Sequence, residues 1–189
     1  MPSNPPILLL DTNVWLDLYL PHRPDREAAR ELVREVCNLS CPLAFAAHTA
    51  LEVYQRIFAE NKRWLRAQDK LDEAAAIAVK RLAWDCVNEM REVATAIPVD
   101  SSELYLMARL RDLHNDFEDD LVMAACERAK ANYLVTNDRK LLMHATVDAR
   151  TPRQMLELLR AGLAKGATVS LDAQEGNQWL ARWLGIEAS

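Results

Sequence analysis

Short apolar runs set between long stretches of helical period constrain this chain more than any other feature. Ile7–Leu10, Pro42–Ala46, Ile97–Val99 and Tyr133–Thr136 have the length and character of strands. Between them the pattern turns helical. Asp25–Leu39 carries Ala28, Ala29, Leu32, Val33 and Val36 on one face, and a second helix opens near Thr49. Leu51–Val93 stays helical for longer than an ordinary single helix, so two or more helices joined around Asn61 to Asp72 are expected. Ser101 or Ser102 caps a helix running to about Leu113, and His114–Asp116 makes a turn. Glu118–Lys130 and Arg139–Met143 are further helices, Ala145–Val147 is read as a last strand, and Thr151-Pro152 opens a final helix. Strand and helix alternate, which predicts an α/β domain with a parallel sheet. Pro98 puts its strand at an edge or at its own end.

A chain of 189 residues suits one domain with a sizeable core. The formal charge of −5 argues against a generic basic coat for nucleic acid but leaves room for a local basic patch. No apolar stretch approaches the roughly 18–20 residues of a membrane helix, and the start MPSNPPILLL lacks the pattern of a secretory signal. A cytoplasmic protein with no membrane partner is expected. Cys37, Cys41, Cys86 and Cys126 form no CxxC pair and no zinc spacing, so they read as buried reduced thiols. Residues 1–162 form the expected domain, with a helical insertion at about 60–92, and 163–189 form an extension. In that extension Trp179, Leu180, Trp183 and Leu184 share one face of a short helix. The face is expected to pack on the chain's own core, with a second copy of the chain, in a homodimer, as the other candidate cover.

Acidic residues stand where these elements meet: Asp11 after Leu8-Leu9-Leu10, Glu52 in Thr49-Ala50-Leu51-Glu52, Asp119 in the run 116–121, and Asp138 after Thr136-Asn137. Each has a local explanation. Thr49 and Glu52 have capping-box spacing, as do Asp116 and Asp119; Asn137 or Asp138 can cap the helix at Arg139; Asp11 can simply end a strand. Together they have a second one. Ligands bind outside the carboxyl ends of parallel strands. Carboxylates gathered there repel one another unless a cation lies between them, and hard divalent cations prefer oxygen donors.

The residues around these acids resemble the motifs of the PIN domain, a nuclease family. An apolar strand ends in Asp11-Thr12-Asn13, and Glu52 lies in the first turns of the helix after the second strand. Asp116-Phe117-Glu118-Asp119-Asp120-Leu121 is similar to the family's D-F-x-D-A-L, with Asp120 where a small residue is usual; the assignment among Asp116, Asp119 and Asp120 stays open. Leu134-Val135-Thr136-Asn137-Asp138 matches a strand followed by Thr-x-Asp. The ordered set covers about residues 7 to 143. The resemblance implies a three-layer α/β/α fold with a central parallel sheet and cleavage of RNA dependent on Mg²⁺ or Mn²⁺. It implies Asp11, Asp119 and Asp138 as metal ligands, with Asp116 as the alternate. Glu52 would bind a second cation or orient water, and Asn13 and Thr136 would hold the carboxylates. Many small members are VapC-type toxins neutralised by an antitoxin protein; the long 60–92 segment and the tail depart from the smallest of these.

Among other groups, His22, His48, His114 and His144 show no ligand spacing and read as surface or packing residues, although His48 lies four residues before Glu52. Arg56, Lys62, Arg63, Arg66 and Lys70 are the densest positive run. They are either a solvated face, interleaved with Glu60, Asp69 and Asp72, or an arm contacting RNA phosphates. A haloacid-dehalogenase-type phosphatase is disfavoured because Asp11-Thr12-Asn13 lacks the second Asp of that motif. A degenerate PIN module that binds RNA or protein without cleaving is the rival of a different class.

Overall fold

The computed structural model describes residues 5–98, 100, 101, 105 and 116–164. Among these, five strands form one parallel sheet: β1 (Leu8–Leu10), β2 (Leu43–Ala46), β3 (Thr95–Ile97), β4 (Tyr133–Val135) and β5 (Asp148–Arg150). The helices are α1 (Thr12–Tyr19), α2 (Arg26–Asn38), α3 (Ala47–Ala67), α4 (Glu73–Val93), α5 (Phe117–Ala129), α6 (Arg139–His144) and α7 (Pro152–Ala164).

The inner strands β1, β2 and β4 are buried on both faces, which is why they read as unbroken apolar runs. Alternation along each strand sends side chains to opposite layers. Leu8, Leu10, Phe45 and Val135 join a core with α1, α2, α3, α4 and α7. Leu9, Ala44, Ala46 and Leu134 join a second core with Val122, Met123 and Cys126 of α5 and Leu141 of α6. The fold is therefore three-layered, α/β/α. Trp15 of α1 is fully buried and meets the Phe45 ring edge-on at 6.0 Å, fixing α1 on the sheet.

The strand order is β3-β2-β1-β4-β5. The chain lays β1, β2 and β3 to one side, then returns to place β4 and β5 on the other. The order thus reverses between β1 and β4, and in open α/β sheets the crevice beyond the strand ends at that point is where ligands bind. Asp11 directly follows β1 and Asp138 lies just past β4. The backbones close there, with Asp11 N–H donating to the Val135 carbonyl at 3.0 Å.

Several boundaries differ from the sequence expectation. The last strand is Asp148–Arg150 rather than Ala145–Val147, because an edge strand is held by backbone pairing to β4 and its side chains are partly exposed. Helix α1 was not expected at all. Helix α3 opens at Ala47 directly off β2, with no side-chain cap, so Thr49 and Glu52 do not form a capping box. The long helical stretch does split into α3 and α4, joined across 68–72 and packed on each other. β3 is an edge strand ending just before Pro98. Thr151 and Gln154 cap α7 reciprocally, side chain to backbone, at 3.3 and 3.0 Å. Cys41, Cys86 and Cys126 are buried free thiols and Cys37 is half-buried, with burial pushing all four thiols up. Most of the 101–113 helix, His114, and the Trp179–Leu184 face lie outside the described residues.

Candidate active site

A cleft of about 490 Å³ opens at the carboxyl end of the sheet. Asp11, Glu52, Asp116, Asp119 and Asp138 all line it, contributed by the ends of β1 and β4 and by α3 and α5. Residues separated by more than a hundred positions meet here because parallel strands end at one edge.

Asp11 is the innermost of these acids, 7 % exposed. As the N-cap of α1 its Oδ1 accepts from Thr12 N–H at 2.6 Å. Its Oδ2 accepts from the Thr136 hydroxyl at 2.7 Å and from Asn13 Nδ2. Asn13 also donates to Thr136 Oγ1 at 3.0 Å and accepts from Asn137 N–H at 2.9 Å, so the α1 start and the β4 end are one hydrogen-bonded unit. Even with these donors the Asp11 carboxyl is raised from 3.8 to about 6. Burial is the main cause, with repulsion from Glu52 and Asp119 adding to it.

Glu52 lies in the second turn of α3 and turns towards Asp11's loop. Its Oε2 accepts from the Thr12 hydroxyl at 2.5 Å, and its Oε1 is 3.6 Å from His48 Nε2. Burial holds the His48 imidazole below its ordinary value, against the opposing pull of Glu52 and Glu118. Asp116 caps α5 by accepting from Glu118 N–H at 3.1 Å, and Asp119 follows in the first turn. Asp138 caps α6 through Oδ1, at 2.7 Å from Lys140 N and 3.3 Å from Leu141 N. Its Oδ2 makes no hydrogen bond among the described residues. Capping and metal binding are thus not exclusive roles: the backbone takes one oxygen and fixes where the other points.

Sequence reasoning missed Thr12 as the link between Asp11 and Glu52. It also missed Arg23, Glu60 and Glu118, which line the same cleft. The Thr12 hydroxyl was discoverable, since Asp-Thr-Asn places it beside Asp11; Arg23 carried no motif. Of the positive run, Arg56 lines the cleft. Lys62, Arg63 and Arg66 lie further along α3 and do not, and Lys62 sits over the Phe58 ring at 4.9 Å. His22 is 3.0 Å from Glu60 on the rim.

Oxygen donors from five carboxylates, with Asp11 raised by burial and, less, by its neighbours' charge, form a set that suits a hard divalent cation. Among the described residues no three His, Cys, Asp or Glu side chains already stand in a closed metal-holding geometry. An open, carboxylate-walled cleft at the topological switch point of an α/β/α sheet defines the class. A family model for the PIN domain matches residues 8–140, and the chain belongs to that family, whose members are generally nucleases. Among solved structures, the fold is similar to the crystal structure of VapBC2 from Rickettsia felis bound to a DNA fragment from their promoter. The TM-score is 0.55 at 14% identity, over 77% of this chain and 98% of that one. No curated protein matches the chain. Among the described residues no helix is long and apolar enough to cross a membrane.

Proposed function

We propose that this protein is an endoribonuclease that hydrolyses RNA phosphodiesters with Mg²⁺ or Mn²⁺ held by Asp11, Asp119 and Asp138. One observation carries the reading: Asp11 is buried beside Glu52 and Asp119 with hydrogen-bond donors but, among the described residues, no cationic partner, so its charge calls for a ligand. A divalent cation there supplies an activated water and neutralises phosphate charge. Glu52, held by the Thr12 hydroxyl, binds a second cation or orients the attacking water. Asn13 and Thr136 fix the Asp11 carboxylate, and Asp116 is the alternate ligand. Arg56 reaches RNA phosphates at the cleft, and Lys62, Arg63 and Arg66 continue that contact along α3.

The solved neighbour belongs to a VapBC2 complex, and on that likeness the toxin role, with an antitoxin protein as partner, is the biological role we carry to this chain. A homodimer belongs to the same proposal, as does a cytoplasmic location. The test is cleavage of single-stranded RNA by metal-stripped protein with and without added Mn²⁺, alongside Asp11→Asn. Cleavage that needs metal and disappears in the variant supports the reading. RNA binding with no metal-dependent cleavage supports a degenerate PIN module instead.

A further inference from the structure

Asp17 is a charged residue in the apolar helix α1, 2 % exposed and flanked by buried Leu16 and Leu18. Burying a carboxylate adds little to stability compared with an apolar residue of similar size, so its retention calls for another explanation. Its contacts supply one. Oδ1 accepts from Arg23 Nε in the turn after α1, and Oδ2 accepts from Asn137 Nδ2 at 2.8 Å. Asn137 immediately precedes Asp138 and donates its own N–H to Asn13. One buried carboxylate therefore ties an arginine to the loop that carries the candidate metal ligand Asp138.

Arg23 lines the cleft with a side chain 28% exposed. Its ion pair uses Nε, and among the described residues both Nη groups make no hydrogen bond. Five N–H donors in a planar fork match phosphate oxygens, and an arginine already anchored at Nε loses less freedom on gripping one. Arg56 on the same cleft is exposed and makes no ion pair among the described residues. Seven carboxylates also line the cleft, and they repel RNA. We infer that Arg23 grips a non-bridging phosphate oxygen of the RNA at this cleft, with Asp17 as the positioning residue that aims it. The inference rests on the nuclease reading for its ligand but has a separate test.

Binding of a fluorescein-labelled oligouridylate is measured by anisotropy on the full chain carrying Asp11→Asn, so that the RNA survives. Adding Arg23→Gln keeps an amide N–H for Asp17 and removes the charge; it should weaken binding by about tenfold. The slope of log Kd against log salt should fall by about 0.7, one phosphate contact on a single strand. Asp17→Asn discriminates further. Removing a negative charge strengthens attraction to RNA on Coulomb grounds alone, whereas a positioning role predicts several-fold weaker binding. Binding within twofold for Arg23→Gln, or unchanged or tighter binding for Asp17→Asn, overturns the inference. Should Arg23→Gln lose its fold, Arg23→Lys keeps the charge without the fork and takes its place: several-fold weaker binding supports the clamp, and unchanged binding contradicts it. A chain without Asp11→Asn that binds RNA yet never cleaves it overturns the nuclease reading, and the Arg23 comparison still decides this one. A chain that binds no RNA overturns both.

Discussion

The α1 helix buries an aspartate at each of two places, and their surroundings are opposite. Asp11, at its start, accepts hydrogen bonds from Thr12, Asn13 and Thr136 but faces the carboxylates of Glu52 and Asp119. Asp17, six residues and about one and two-thirds turns further on in a helix of 3.6 residues per turn, is paired with the Arg23 guanidinium and with Asn137. Among the described residues Asp17 has a cationic partner and Asp11 has none. The difference separates a group that organises the fold from one that holds a place for a ligand. Unpaired buried charge at a cleft is destabilising unless something outside the chain offsets it, and such strain gathers at functional sites.

The largest effect expected from breaking this contrast is on activity. Asp11→Asn should lose metal-dependent RNA cleavage to background while circular dichroism remains native, since Asn caps a helix about as well as Asp. Next comes stability at the other aspartate. Arg23→Met leaves Asp17 buried without its cation and should cost about 3 kcal/mol in urea unfolding. A cost under about 1 kcal/mol would mean that Asp17 reaches water or another partner. Glu52→Gln sharpens the comparison from the α3 side. The amide oxygen still accepts from Thr12, so stability should change by less than about 1 kcal/mol, while cleavage falls some 10–100-fold, as when a group that orients a metal site is lost. Near-normal activity would return Glu52 to a structural role.

The smallest effect is a pH signature. Asp11's carboxyl lies at about 6 in the fold against 3.8 ordinarily. A raised acid binds its proton more tightly when folded, so its contribution is fully present below about pH 4 and is lost as pH rises through 6. The shift corresponds to at most about 3 kcal/mol, and hydrogen bonds lost to Asn reduce it. Without metal, wild-type protein and Asp11→Asn should melt alike near pH 4, with the variant a few degrees higher at pH 7. A gap that does not widen with pH would mean that burial and its neighbours' charge do not hold the Asp11 carboxyl raised.

What the sequence disclosed follows from which forces leave local marks. Strands β1, β2 and β4 lie inside the sheet and must be apolar on both faces, so they stand out; β5 is an edge strand whose residues Asp148, Ala149 and Arg150 carry no such mark. Helix α1 was hidden because Val14–Leu18 is buried around most of its girth, leaving no amphipathic period to detect. The acidic residues of the cleft were legible through the order of their motifs. Their capping explanations held for Asp116 and Asp138 and failed for Glu52, because α3 begins at Ala47 rather than near Thr49. The Asp17–Arg23–Asn137 link was illegible. Its members sit on a helix, a turn and a distant loop, at no periodic spacing, and only the fold brings them together.

The most direct test of the central claim, that the Asp11 cluster shares a divalent cation, is isothermal titration of metal-stripped protein with Mn²⁺, repeated on Asp11→Asn. Wild-type protein should bind Mn²⁺ with release of protons near pH 6, because a cation displaces the proton that the raised Asp11 carboxyl holds there. Asp11→Asn should bind at least tenfold more weakly and without that proton release. Equal Mn²⁺ affinity in the two proteins, or no binding by the wild type, would contradict the account.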